Sequence, residues 1–138
     1  GGDRIFLCIS SNHKTVENIQ ERSGNGVLAA VDGVDVARIG PQFEHAPYFP
    51  DRINTEFIRV VNPSTIKMRV WERGSGETLA CGTGACAAVV AAVANGLCEK
   101  GRDITVRVQG GDLVVHYTDE AVTLTGDAKL VYTGVVEY

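Results

Sequence analysis

The run Ala85-Cys86-Ala87-Ala88-Val89-Val90-Ala91-Ala92-Val93-Ala94 limits what this chain can fold into more than any other feature. It has no charged side chain, and small or β-branched apolar residues stand on every side of the predicted cylinder. A helix that is apolar all round is expected to be buried all round. It is too short to cross a bilayer, which takes about 20 apolar residues. The expected setting is a protein interior, with strands packed closely about a slim Ala-rich rod. Gly82 or Thr83 suits the N-cap. Asn95-Gly96 is a stop, because both residues tolerate the left-handed conformation.

A glycine-punctuated loop leads into this rod: Trp71-Glu72-Arg73-Gly74-Ser75-Gly76-Glu77-Thr78-Leu79-Ala80-Cys81-Gly82-Thr83-Gly84. It delivers Cys81 just before the first helical turn, where unpaired N–H groups and the helix dipole favour negative charge. The same amides can hold a carboxylate, or an oxyanion that forms during reaction. A thiol there suits acid–base or nucleophilic work. The plainer alternative is a small cysteine packed as a hydrophobe; for Glu72 and Arg73 it is a solvated charge pair at a strand end.

The totals fit one domain with a real core: 138 residues, 44% apolar and 22% charged. A net charge of −4 argues against nucleic acid or an anionic membrane as partner. No segment reads as a signal peptide or a membrane span, so a cytoplasmic protein is expected. Cys8, Cys81, Cys86 and Cys98 are too few for a disulfide framework and fit a reduced compartment. There is no C-x-x-C pair and His13, His45 and His116 are scattered, so no metal is expected.

Along the chain, residues 4–9 read as a short strand, while Ser11-Asn12-His13 and Ser23-Gly24-Asn25-Gly26 read as turns. Residues 27–31 form an apolar run of either type. Residues 34–41 suit a brief helix stopped by Gly40-Pro41, and residues 42–51, with prolines and aromatics, a packed loop. Residues 55–61 and 65–71 flank Asn62-Pro63-Ser64 as a hairpin. After the rod, strands are expected at 104–108, 113–117, 122–124 and 130–132, with meander spacing. The expected class is α+β: a curved, barrel-like, mainly antiparallel sheet wrapped around a central buried apolar helix.

The motif Glu72-Arg73-Gly74-x-Gly76-Glu77-Thr78-x-Ala80-Cys81-Gly82-Thr83-Gly84-Ala85-Cys86-Ala87 closely resembles the C-terminal catalytic motif of the diaminopimelate epimerase family. The likeness extends over about residues 34–138, including Gly40-Pro41, Phe49-Pro50 and Asn54. It implies one half of a two-fold pseudo-symmetric fold, each half a barrel around a helix. It also implies cofactor-independent epimerisation of LL- to meso-diaminopimelate by two cysteines, one from each half, on opposite faces of the substrate Cα. By resemblance Cys81 is one acid–base thiol. Gly82 and Thr83 belong to the helix-end carboxylate site, Glu72 and Arg73 bind substrate, and Asn54 helps read the distal stereocentre.

The family's first-half Cys-Gly-Asn-Gly motif is absent. Ser23-Gly24-Asn25-Gly26 echoes it with serine in place of the thiol, and Ser11-Asn12-His13 only faintly echoes a Gly-Asn-Pro-His segment. Two regions are therefore expected: an N-terminal segment, 1–31, of uncertain origin, and a family-like C-terminal domain, 32–138. With half a site, the chain is expected to be inactive alone. Its expected partners are a small amino-acid substrate and either a missing N-terminal half or a second copy of the chain.

Three other functions fit some of the residues. A proline-racemase-like isomerase shares the Cys81-Gly82-Thr83-Gly84 core, but the Glu72-Arg73 pair argues for the diaminopimelate family. Gly82-x-Gly84-x-x-Ala87 formally fits a dinucleotide fingerprint, but without the hydrophobic strand that must precede it. A non-catalytic carboxylate-binding domain would keep the pocket and lose the chemistry.

Overall fold

The computed structural model describes residues 6–10, 20–21 and 31–138. The turns expected at 11–13 and 23–26, His13, and nearly all of the 27–31 run lie outside the described residues. Among the described residues, eight strands and two α-helices follow in chain order. They are β1 (Phe6–Ser10), β2 (Gln20–Glu21), α1 (Val36–Glu44), β3 (Asn54–Asn62), β4 (Thr65–Glu72) and β5 (Gly76–Thr78). Then come α2 (Gly82–Ala94), β6 (Asp103–Val108), β7 (Gly111–Tyr117) and β8 (Val122–Thr125), and a 3-10 turn at Val31–Gly33 precedes α1. The class is mixed α+β. The strand order is β2-β1-β3-β4-β6-β7-β8, with β5 beside β4, and among the described residues its two ends are not joined, so the sheet is open there.

The hairpin forms where the sequence places it. Ile58 pairs with Met68 and Phe57 with Arg69 across β3 and β4. Asn62 closes the turn, its Oδ1 accepting from the Ser64 amide at 2.9 Å and the Ser64 hydroxyl at 3.0 Å. All described pairings are antiparallel except one: β4 and β6 run parallel, Thr65 opposite Thr105. A parallel pair needs a crossover, and α2 supplies it.

Alternation along β4 sends Ile66, Met68 and Val70 to one face, where they join Ile58, Ile104, Val106, Val115 and the α2 residues Ala85, Ala88, Val89, Ala91 and Ala92 in one buried cluster. Phe57 faces the other way, into a smaller cluster with Val31, Val34 and Val36, against which Ile39, Phe43 and Trp71 pack. Helix α2 lies against β1, β3, β4, β6, β7 and β8, strands spread along most of the sheet order.

Three expectations need correction. The rod is not buried all round: Cys86, Ala87, Val90 and Val93 are half-buried and Ala94 is exposed. Neighbouring elements cover the remaining face, and small side chains leave little apolar area on the uncovered one. Second, Gly40-Pro41 does not stop α1, which continues to Glu44 with Pro41 inside it. An internal proline costs about 3 kcal/mol. Burying Val36 and the partly buried Ile39 and Phe43 offsets that at about 1.5–3 kcal/mol per fully buried side chain. Third, residues 130–132 form no strand; residues 126–138 are irregular, with Leu130, Val131 and Tyr132 exposed.

Candidate active site

Cys81 itself is the N-cap of α2, displacing the expected Gly82 or Thr83. Its backbone is extended (φ −140°, ψ 109°) and its Sγ accepts from the Gly84 amide at 3.3 Å. The sulfur thus takes up one of the helix's leading N–H groups, the role a capping oxygen ordinarily fills. The Thr83 hydroxyl is 3.6 Å from the same sulfur. Cys81 is 8% exposed and borders the apolar cluster, so packing and the helix end both fix it.

The approach of Gly84 to this sulfur leaves no room for a side chain. A Cβ there would lie 2.7 Å from Glu56 Oε1 and 3.1 Å from Cys81 Sγ. Glu56 is fully buried on the same face of β3 as Ile58, so a carboxylate shares the helix end with the thiol. Nothing in the local sequence marks Glu56, because β3 is buried along both faces and its alternation is hidden.

Glu72 and Arg73 end β4 and enter the turn before β5. Glu72 Oε1 accepts a short hydrogen bond from the Thr78 hydroxyl, which also points to the Ala80 carbonyl at 3.4 Å. That chain of contacts runs from Glu72 to the residue before Cys81. Arg73 is anchored at both ends: its amide donates to Asn54 Oδ1 at 2.8 Å, and its Nη1 donates to the Asp51 carbonyl at 2.9 Å. Asn54 and Arg73 are therefore brought together, as are Cys81, Gly82 and Thr83. The exposed guanidinium keeps N–H groups with no protein partner among the described residues, a fork suited to a carboxylate.

Glu77, part of the same motif, does structural work. Both its oxygens accept from Arg69, at 2.7 and 3.0 Å, while Arg69 Nη1 also reaches the carbonyls of Val31, Asp32 and Val34. Of the other thiols, burial pushes Cys98 up to about 11 and raises Cys86, which the neighbouring Cys81 raises further. Neither suits proton transfer near neutral pH. Cys81, Cys86 and Cys98 are all free. Among the described residues no group of three or more His, Cys, Asp or Glu is placed to hold a metal ion.

Comparison with known proteins adds a family to this geometry. The profile of the family described as Diaminopimelate epimerase matches residues 23–131. A diaminopimelate epimerase of Desulfovibrio desulfuricans is 54% identical over 110 residues, covering 78% of this chain and 37% of the relative. One from Cyanothece is 56% identical over 108 residues, 77% of this chain and 38% of the relative. One from Bacillus cereus is 45% identical over 132 residues, 93% of this chain and 46% of the relative. The chain thus spans less than half the length of these curated relatives. With a thiol capping the rod, Glu72 and Arg73 at the end of the strand before it and the family profile over most of its length, this chain belongs to the diaminopimelate epimerase family.

Proposed function

We propose that the chain supplies one half of a cofactor-independent amino-acid epimerase site acting on LL- and meso-diaminopimelate. The observation that carries this reading is the sulfur of Cys81 at the leading amides of α2, at the end of a loop that Thr78 ties back to Glu72. In one direction the Cys81 thiolate takes the substrate α-proton: the C–H bond breaks, an S–H bond forms, and the electron pair stays on the α-carbon. A second thiol, from the partner that completes the site, donates its proton to the opposite face. No pyridoxal ring absorbs the charge, so the α-carboxylate must be held by dipoles, and the amides of Gly82 and Thr83 at the helix end supply them. Arg73 grips the distal carboxylate, with Glu72 and Asn54 shaping the pocket beside it.

The same reading takes residues 32–138 as the family-like domain and 1–31 as a segment of uncertain origin, though its β1 pairs with β3, and takes the sheet as curling barrel-like around α2 as its central helix. The contacts of α2 with both β1 and β8 support the curl. Among the described residues no helix is long and apolar enough to cross a membrane. A cytoplasmic setting belongs to this proposal, as does a partner that provides the second thiol: an N-terminal half or another copy of the chain.

The test is turnover by the pure 138-residue chain, followed by chromatographic separation of LL- and meso-diaminopimelate. The expected outcome is no conversion by the chain alone, and none by a full-length relative in which the cysteine equivalent to Cys81 is serine. Conversion by the pure chain would sink the half-site reading.

A further inference from the structure

Glu44, at the end of α1, is a carboxylate only 4% exposed, and it belongs to none of the motifs above. A buried charge persists only when it is paired and hydrogen-bonded. Glu44 is both. Its Oε2 accepts from the Trp71 indole N–H at 2.7 Å. Its Oε1 accepts from the Gly74 amide at 2.9 Å and from Arg52 Nη1 at 3.3 Å. His45 Nε2 stands 3.9 Å away.

Two of these three donors flank the Glu72-Arg73 pair, one on each side. If packing alone mattered, an apolar side chain of similar volume would serve at least as well. Helix α1 also holds Trp71 from one turn earlier, where Gly40 lies so close that a Cβ would sit 2.4 Å from the indole ring. Arg52 adopts a left-handed backbone (φ 59°), a strained conformation for a residue with a side chain, and its guanidinium meets Glu44. The carbonyl of Asp51, just before it, takes the Arg73 guanidinium. The contacts form a ring from Glu44 through Arg52 and Asp51 to Arg73, then back through Gly74.

We propose that Glu44 is a positioning residue: it fixes the main chain on both sides of the Glu72-Arg73 pair, so that the Arg73 guanidinium meets the distal carboxylate of the substrate. The ligand named here rests on the diaminopimelate reading above; the positioning does not. Glutamine at 44 would keep one acceptor oxygen but turn an NH2 toward a donor and lose the charge that Arg52 meets.

The test compares the 138-residue chain with its Glu44→Gln variant in two measurements. Hydrogen exchange read by mass spectrometry across residues 71–76 is expected to speed up about tenfold, with the α2 peptide unchanged. Calorimetric titration is expected to show about tenfold weaker binding of meso-diaminopimelate and unchanged binding of lysine, which lacks the distal carboxylate. Unchanged exchange across 71–76, or equal weakening toward both ligands, overturns the proposal. If the unaltered chain binds neither ligand, the diaminopimelate reading falls and the exchange measurement alone decides the positioning. Should Glu44→Gln fail to fold, Trp71→Phe removes one of the same hydrogen bonds and is read in the same way.

Discussion

The two faces of the β3–β4 hairpin are held by different physics. Toward α2 most contacts are matters of shape: Ile58 and Met68, paired across the strands, meet Ala85, Ala88 and Val89 in an apolar cluster, with the Glu56 carboxylate at the helix end. Toward α1 the next pair is Phe57 and Arg69, and much of the fastening is polar, with Arg69 on three carbonyls and Glu77, and Glu44 on Trp71 and Gly74. The candidate site draws on both. Its thiol borders the apolar side, where neighbours fix position by exclusion. Asn54, Glu72 and Arg73 lie at strand ends on the polar side, where hydrogen bonds fix direction.

Substitutions can break this contrast. Met68→Ala should have the largest effect, about 2–5 kcal/mol of stability lost by urea denaturation, because the Ala-rich helix cannot collapse into the cavity. Gly40→Ala should cost about 1–3 kcal/mol in the same assay, by overpacking against the Trp71 ring. The emission of Trp71, the only tryptophan, should shift with it. A result as large as that for Met68→Ala would mean the α1 face is as tightly packed as the other.

Acid should act on the polar face through Glu44. The Trp71 hydrogen bond, with help from Gly74, His45 and Arg52, outweighs burial and holds the Glu44 carboxyl below its ordinary value near 4.5. A depressed carboxylate adds stability above its unfolded pKa, and that contribution is lost as pH falls through the folded value. Denaturation midpoints at pH 7 and pH 4 should therefore drop further in the unaltered chain than in Glu44→Gln; equal drops would remove Glu44 from the account. The smallest effect is expected on neither face: Arg102→Ala breaks an exposed pair with Glu99 and should change stability by less than about 0.5 kcal/mol.

What could be read from residue order was whatever local chemistry decides. The strict alternation of Ile66, Met68 and Val70 gives β4, Asn62-Pro63-Ser64 gives its turn, and Asn95-Gly96 ends α2, with Gly96 at φ 71°. The long motif around Cys81 was enough for the family. Choices made by distant partners stayed hidden. Gly40-Pro41 is a stop signal locally, but packing of α1 against β4 and β5 overrides it. Leu130, Val131 and Tyr132 have strand character and no neighbouring strand among the described residues. Cys81 as its own helix cap was hidden because oxygen side chains usually take that place. Glu44 was invisible because two of its donors, Trp71 and Gly74, lie 27 and 30 residues away.

The parallel ladder between β4 and β6 also sets an order in time. Thr65 meets Thr105 only after the whole β5–α2 crossover has folded back, whereas Thr65 meets Asn62 across a two-residue turn. Closing the longer loop carries the larger entropy cost, so the hairpin is expected to form early and the β6–β8 meander to dock late. The thiol rides on the late segment, and pulse-labelled amides of β6 should gain protection after those of β3. A nascent chain would then order the strand that leads to Arg73 before Cys81 caps its helix.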